Sequence, residues 1–377
     1  MTAAVGAFTV NLPAGSAGAI VSVADYTRTF QTNNLTVSPN GTEKLGGVNA
    51  DAKLSTEGQS VTFVYVDATE GWINVQDSTS AVQGRLVTPF IIATVSGACN
   101  TLATSGDCKI ATFTGPGTFC VTNEGTGSNQ VVSHMVIAGG GGGGHDDGGG
   151  GGAGGFRENE SPVTPYTQSP LAGGTAVTIS SASAIPITVG AGGVGGVPTV
   201  TCNATQGSSS IFSTITSAGG GLGGRGAPTG GPGGSGGGGG EAVPGGTGNT
   251  PPVSPSQGNN GGTGGGANAS AGGGGAGAVG SNGISSPAGG GAGGAGVTTE
   301  INGSSVTRSG GGGGGGFNTP GAGGSGGGGS GGKYPSTQAT AGTVNTGGGG
   351  GGGSTNTGPR DGKSGGSGIV IIRYKFQ

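Results

Sequence analysis

The sequence predicts an all-β protein with essentially no α-helix: a small N-terminal β domain, then a β-sandwich base carrying a bundle of glycine rods with exposed loops. Three observations lead there. First, 103 of the 377 residues are Gly and only 8% are charged, against roughly 7% Gly and about a quarter charged in ordinary chains. Glycine has no side chain to bury and the hydrophobic effect scales with apolar area, so one conventional core spanning the chain is excluded. Second, short apolar segments with period-two alternation recur along the whole length. Third, long glycine excursions separate them, and no segment of 1–80 carries the 3.6-residue period of an amphipathic helix.

Residues 1–80 read as a compact β unit for attachment or oligomerisation. In "FTVNLP", Phe8, Val10 and Leu12 fall on one face, and "AIVSVADY" follows. "NNLTVSPNGTE" gives a strand and then an Asn-Gly turn. The strongest strand is Val61–Val66, with Val61, Phe63 and Tyr65 on one face and Val64 and Val66 on the other. Apolar residues on both faces predict a central strand or one covered by a neighbouring subunit. A further strand lies around Trp72, and 81–89 read as a connector.

A second β set begins near Phe90 and forms the base over 90–138, completed by about 175–216 and 368–377. "FIIATVS" leads to "CKIATFTGPGTFCVT", two strands around a Gly-Pro-Gly turn. "NQVVSHMVIA" runs straight into the first glycine run; "TAVTISSASAIPITV", "SSSIFSTITS" and the final "IVIIRY" add later strands. Isolated hairpins are marginal in water, so these scattered strands are expected to pool into one sandwich.

Between 139 and 367, runs such as 139–144, 148–155, 310–316 and 347–353 alternate with turn segments rich in Pro, Asn and Thr. A Gly/Ser tract is a flexible coil by default, but these runs are nearly bare Gly and alternate regularly, as rods alternate with loops. In the polyproline-II conformation, six or seven residues span roughly 20 Å and point their N–H and C=O groups outward in three directions. Neighbouring rods can then bond to one another in a hexagonal bundle, which requires backbones close enough that only Gly fits. Fixing each residue costs about 1–2 kcal/mol. A hydrogen bond returns about 0.5–1.5 kcal/mol, and Cα–H···O contacts add about 0.5–1 each. The sum is near zero, so the bundle needs a clamp, and the sandwich is placed to supply it.

No GxxxxGK[ST] phosphate loop occurs. "GAGGVGG" after "IPITV" imitates a dinucleotide turn without the helix that would hold the phosphate. His145-Asp146-Asp147 reads as a solvated turn between rods rather than a metal site, and His134 as a packed strand residue. No catalytic constellation assembles, so no enzyme, cofactor or metal is expected. Net charge is −3, with no basic patch for nucleic acid or anionic membrane. "MTAAVGAFTVNLPAG" is not expected to be a secretory signal, and no apolar run reaches the length needed for membrane insertion. The four cysteines, Cys99, Cys108, Cys120 and Cys202, contain no CxxC pair. Cys99–Cys108 across "NTLATSGD" and Cys120–Cys202 are possible disulfides, with free buried thiols the alternative.

"SHMVIAGGGGGG", "ITVGAGGVGG" and "GGSGIVIIRY" resemble the glycine-rich domain of virion proteins of tailed phages, "CKIATFTGPGTFCVT" resembles the strand pair preceding it, and residues 1–80 resemble a small β domain of phage tail fibres. The rod architecture is similar to the polyglycine-II bundle of a tail-fibre tip adhesin. The cysteines are not part of that pattern. The resemblance implies a virion fibre protein, homotrimeric, joined to other tail or capsid proteins through residues 1–80. Loops at the rod tips would touch a host surface glycan or outer-membrane protein. The receptor-binding loop candidates are Phe156, Arg157, Glu158, Tyr166, Glu300, Arg308, Phe317, Tyr334, Arg360 and Asp361; because antiparallel rods alternate ends, about half are expected at the base. A capsid or tail decoration protein, and a secreted cell-surface glycine-rich protein, are the alternatives.

Overall fold

The computed structural model describes residues 6–78, 90–198, 204–226, 229–355 and 360–377. The chain divides into two units, 1–87 and 88–377. The expected connector at 81–89 falls outside the described residues.

The first unit contains two three-stranded sheets. One has β1 (Phe8–Asn11) parallel to β3 (Leu35–Ser38), which pairs antiparallel with β4 (Ala52–Leu54). The other orders β2 (Ile20–Ala24), β5 (Ser60–Asp67) and β6 (Gly71–Ser78), all antiparallel. Their core is Leu12, Phe30, Leu35, Val37, Leu54, Val61, Phe63 and Trp72. The strand predicted to be central is β5, in the middle of its sheet. One face is buried through Val61 and Phe63, while Val66 on the other is exposed. Glu43 holds the unit at two points, accepting from the Trp72 indole Nε1 at 3.1 Å and the Gly15 amide at 2.8 Å. Gly71, at φ 71°, could not be replaced without strain, because a Cβ there would lie 2.0 Å from the Lys44 carbonyl oxygen.

The second unit opens with β7 (Ile91–Ser96), β8 (Thr101–Ser105), β9 (Cys108–Phe113), β10 (Gly117–Glu124) and β11 (Val131–Ile137). Later come β12 (Phe156–Asn159), β13 (Val177–Thr178), β14 (Ala184–Thr188), β15 (Ser210–Phe212) and β16 (Ile215–Ser217). After these follow the hairpins β17 (Ile284–Ser285)/β18 (Ala288–Gly289) and β19 (Val297–Thr299)/β20 (Val306–Arg308), and finally β21 (Ile369–Lys375). A five-stranded sheet, β16-β15-β14-β10-β7, packs on a six-stranded one ordered β12-β11-β21-β9-β8, with β13 alongside β11. The Gly-Pro-Gly turn therefore does not close a hairpin. It carries the chain from one layer to the other, since β9 and β10 lie in different sheets. The core between the layers includes Phe113, Phe119, Val132, Val136, Phe212, Val370, Ile372 and Tyr374. The opposite face of the six-stranded sheet is also buried: Met135, Ile137, Phe156, Ile369 and Ile371 pack on Val297 and Ile301 of the β19–β20 hairpin. That is why β11 and β21 read as continuous apolar runs rather than alternating ones.

β8 overturns the expected Cys99–Cys108 bridge. "NTLATSGD" holds an extended strand, with Thr101 opposite Thr112 and Ser105 opposite Cys108. Cys99 and Cys108 therefore lie at opposite ends of β8, more than about 13 Å apart at 3.4 Å per residue. A disulfide needs Cα atoms within about 7 Å. Cys99 is an exposed and Cys108 a buried free thiol; Cys120, in β10, is free as well. Cys202 lies outside the described residues. Burial and the neighbouring Asp107 raise the Cys108 thiol pKa.

The glycine runs form an ordered hexagonal lattice. In rod 139–144, every amide donates to an antiparallel neighbour and every carbonyl accepts from a parallel one. Gly139 and Gly142 donate to Ser208 and Thr205, Gly140 and Gly143 to Gly366 and Lys363, Gly141 and Gly144 to Gly152 and Gly149. Their carbonyls accept from Gly220 and Gly223, Gly193 and Gly196, and Gly350 and Gly353. Each partner recurs every third residue, which is the three-residue turn of a polyproline-II helix, and the rod has six neighbours. Rods 148–155 and 310–316 are surrounded in the same way. Rods 139–144, 148–155, 310–316 and 347–353 are buried throughout.

Outer rods carry side chains at every third position: Ala191 and Val194, Leu222 and Arg225, Asn260 and Thr263, Ala292 and Ala295, Ala322 and Ser325, Ser364 and Ser367. All are exposed or half-buried. The spacing x-Gly-Gly-x thus marks a rod with one face to solvent, whereas a bare run marks one enclosed on six sides.

The sandwich holds the lattice by continuity. β11 runs into rod 139–144 and rod 148–155 into β12; β14, β16 and β20 likewise feed rods, and rods return into β15, β19 and β21. Where strand gives way to rod, the Ser210 and Ser217 hydroxyls donate to the Ile137 and Val136 carbonyls, both at 2.7 Å.

Candidate functional site: the distal loops

Because β11 enters the bundle at Gly139 and rod directions alternate, each loop can be assigned to the base or to the distal end. Phe156, Arg157 and Glu158 belong to β12 of the six-stranded sheet, and Tyr166 packs beneath it. Glu300 sits in the β19–β20 turn and Arg308 in β20. These six candidates lie at the base, which removes them as tip residues. Phe317, Tyr334, Arg360 and Asp361 lie in distal loops.

Glu158, Tyr166 and Arg308 share a structural task at the base. Glu158 is buried and accepts from the Tyr166 hydroxyl at 3.0 Å, the Ser169 amide at 3.1 Å and the Thr299 hydroxyl. Burial and then Glu158 push the Tyr166 hydroxyl far above its ordinary pKa. Burial pulls the Arg308 guanidinium down while the nearby Glu158 charge holds it up. This network pins the 160–172 loop and the β19–β20 hairpin over the second face of the sheet. Its members are polar and aromatic, so composition alone ranks them with binding residues.

At the distal end two groups stand out. Phe317 and Tyr334, from adjoining loops, stack with ring centroids 4.7 Å apart and planes 8° apart. The Tyr334 amide donates to the Gly316 carbonyl, which fixes one loop against the other. The hairpin β17–β18 adjoins them through the Asn318 amide and the Ala288 carbonyl, and it exposes Ile284. The second group is the 145–147 turn, which is not the solvated turn expected from sequence. His145 and Asp147 are buried, and Asp146 and Asp147 take left-handed φ values of 48° and 53°. Arg360 grips the Asp146 carboxylate with Nε on Oδ1 and, at 2.9 Å, a terminal nitrogen on Oδ2, and His145 Nδ1 lies 3.0 Å from that same Oδ2. That Arg360 contact holds the Asp146 carboxyl below its usual pKa despite burial. Asp147 moves the other way, up to about 7, through burial first and then the facing Glu241 carboxylate. Glu241 in turn accepts the Asn268 amide at 2.9 Å. Salt pairs and backbone bonds thus tie neighbouring distal loops together. Among the described residues, no group of three or more His, Cys, Asp or Glu could hold a metal.

His134 is buried, with its ring edge-on to Phe212 at 5.8 Å, as a packed strand residue should be. Burial and, secondarily, Arg157 lower its pKa to about 4.

A β base whose strands continue into a glycine lattice defines a class of all-β, glycine-rich domain. The family model described as a glycine-rich domain matches residues 112–375. The chain belongs to that glycine-rich domain family. No curated protein matches it.

Proposed function

We propose that the chain is a virion fibre protein of a tailed phage, in which the glycine lattice holds distal loops rigidly for attachment to a host surface glycan or outer-membrane protein. The observation that carries this reading is the division of labour along the rods. Backbone hydrogen bonds between rods hold the lattice, while Phe317, Tyr334, Arg360 and Asp361 lie in the loops that join rods at the distal end. Rigid presentation lowers the entropy lost when loops bind, and stacked aromatics with Arg are suited to binding hot spots. Phe317, Tyr334, Arg360 and Asp361 are the contact residues in this reading.

The first unit supports self-association. Ile20, Val64 and Ile73 stand opposite one another across β2, β5 and β6. Ile20, Val66 and Val75 are exposed. An apolar row on a solvent face suits a homotrimer, or a seat on another tail or capsid protein.

An antibody against residues 139–365, located on intact particles by electron microscopy, tests the proposal. Label confined to the tail periphery is the expected result. Label spread over the capsid would refute it and favour a decoration protein. The double variant F317A/Y334A should keep the fold and lose adsorption to host cells.

A further inference from the structure

We propose that the flank of the β base holds a binding cleft for a carboxylate, centred on the Arg157 guanidinium. The cleft, about 400 Å³, lies where edge strands β12 and β16 meet the 249–257 loop. Arg157, Ser209, Thr214, Thr216, Val253 and Gln257 line it.

Among the described residues, Arg157 lacks a counter-charge. Its side chain is half-buried, yet among the described residues it makes no ion pair or hydrogen bond. Four other cations of this unit have a nearby counter-charge: Arg360 grips Asp146, Arg308 feels Glu158, and Lys363 and Lys375 face Asp361 and Asp107. Burial alone acts on Arg157, pulling it down with no acid to offset the loss. The Arg157 charge bears on the buried His134, whose protonation it disfavours. A desolvated, unpaired cation is costly unless something else supplies the negative charge.

The rest of the lining fits a carboxylate-bearing ligand. The hydroxyls of Ser209, Thr214 and Thr216 are exposed and make no hydrogen bond to the described protein. Gln257 is a fixed wall: its Oε1 accepts the Ala218 amide at 2.9 Å and its Nε2 donates to the Pro251 carbonyl at 2.8 Å. Pro251 and Val253 add an apolar side. One guanidinium matches one carboxylate as a two-pronged donor. A phosphate dianion would require a second cation, and no other Lys or Arg lines the cleft. This site is at the base and does not depend on the distal loops binding anything.

Calorimetric titration of the full chain with D-glucuronate, N-acetylglycine, glucose and inorganic phosphate tests the proposal. Both carboxylates should bind saturably, and glucose should not. Tighter binding of glucuronate assigns the carboxylate to an acidic sugar, and tighter binding of N-acetylglycine to a peptide end. R157Q should weaken either by about tenfold or more, and R157K by less, because Lys keeps the charge and loses the fork. R157Q should unfold at or above the wild-type temperature, which separates lost binding from lost fold. No saturable carboxylate binding at tens of millimolar, unchanged binding in R157Q, or stronger binding of phosphate than of either carboxylate would each overturn it.

Discussion

Gly141 gives the sharpest test of the lattice. It lies in rod 139–144, its amide donating to Gly152 at 2.9 Å and its carbonyl accepting from Gly350 at 3.0 Å. A Cβ placed on Gly141 would meet the Gly221 carbonyl oxygen at 2.1 Å and its carbon at 2.6 Å. Real contacts to a methyl group begin about an ångström further out, and the obstructing atoms are backbone, so no side chain can rotate away. Two rods must separate. Overpacking of this kind costs about 1–3 kcal/mol, and each lattice hydrogen bond stretched adds about 1 kcal/mol. Against this, Ala reduces the freedom of the unfolded chain by about 0.4–1 kcal/mol. G141A should therefore destabilise the second unit by about 2–4 kcal/mol, read as a lowered midpoint in guanidinium unfolding. V194A, on an exposed rod face, should stay within about 0.5 kcal/mol of wild type. A G141A protein as stable as V194A would refute close packing of the rods.

The remaining predictions concern buried polar groups. Glu158→Ala leaves Tyr166, Ser169 and Thr299 without their shared acceptor and Arg308 without its nearby counter-charge, and should cost about 3–5 kcal/mol in denaturant unfolding; a loss below about 1 kcal/mol would show that the network contributes little. His134 has a folded pKa below its unfolded one, so its contribution is complete above pH 6.5 and is lost as pH falls toward 4. Wild type minus H134L, followed by thermal unfolding across that range, should fall by about 3 kcal/mol, and a flat difference would contradict the burial argument. Asp147 has the opposite sign. Its folded pKa of about 7 lies above the unfolded value, so the protonated form favours folding below pH 4 and that advantage disappears as pH rises to 7. D147N should therefore be more stable than wild type at pH 8, by about 2–4 kcal/mol, and the gap should close at pH 4.

Much of the base was legible from local pattern. β7, β9, β10, β11 and β21 are long, apolar and bounded by turn residues, so period and composition suffice. β8, β12 and the β19–β20 hairpin were missed for a common reason: "TLATS", "FREN" and "VTTEINGSSVTR" are polar or short, and only their partners make them strands. β12 exists because β11 offers an edge, and β19–β20 because the second face of the six-stranded sheet needs a cover. Which of the ten loop candidates belong to the base, Phe156, Glu158 and Tyr166 among them, was illegible on the same ground. A buried carboxylate network and a surface recognition loop draw on the same residue types, and only burial separates them. One signal was present and unread. The x-Gly-Gly-x spacing at 191–194, 222–225, 260–263, 292–295, 322–325 and 364–367 already distinguishes outer rods from enclosed ones.

The sequence by itself determined that the glycine runs could only be ordered as rods and that a β base had to hold them, because bare backbone offers hydrogen bonds but almost no apolar area. Tertiary structure alone decided which end each loop occupies, which acids and bases meet, and which cysteines stay apart. Those outcomes depend on rod direction and strand register. Both are set by pairings between segments tens to hundreds of residues apart, where no local preference of the chain reaches.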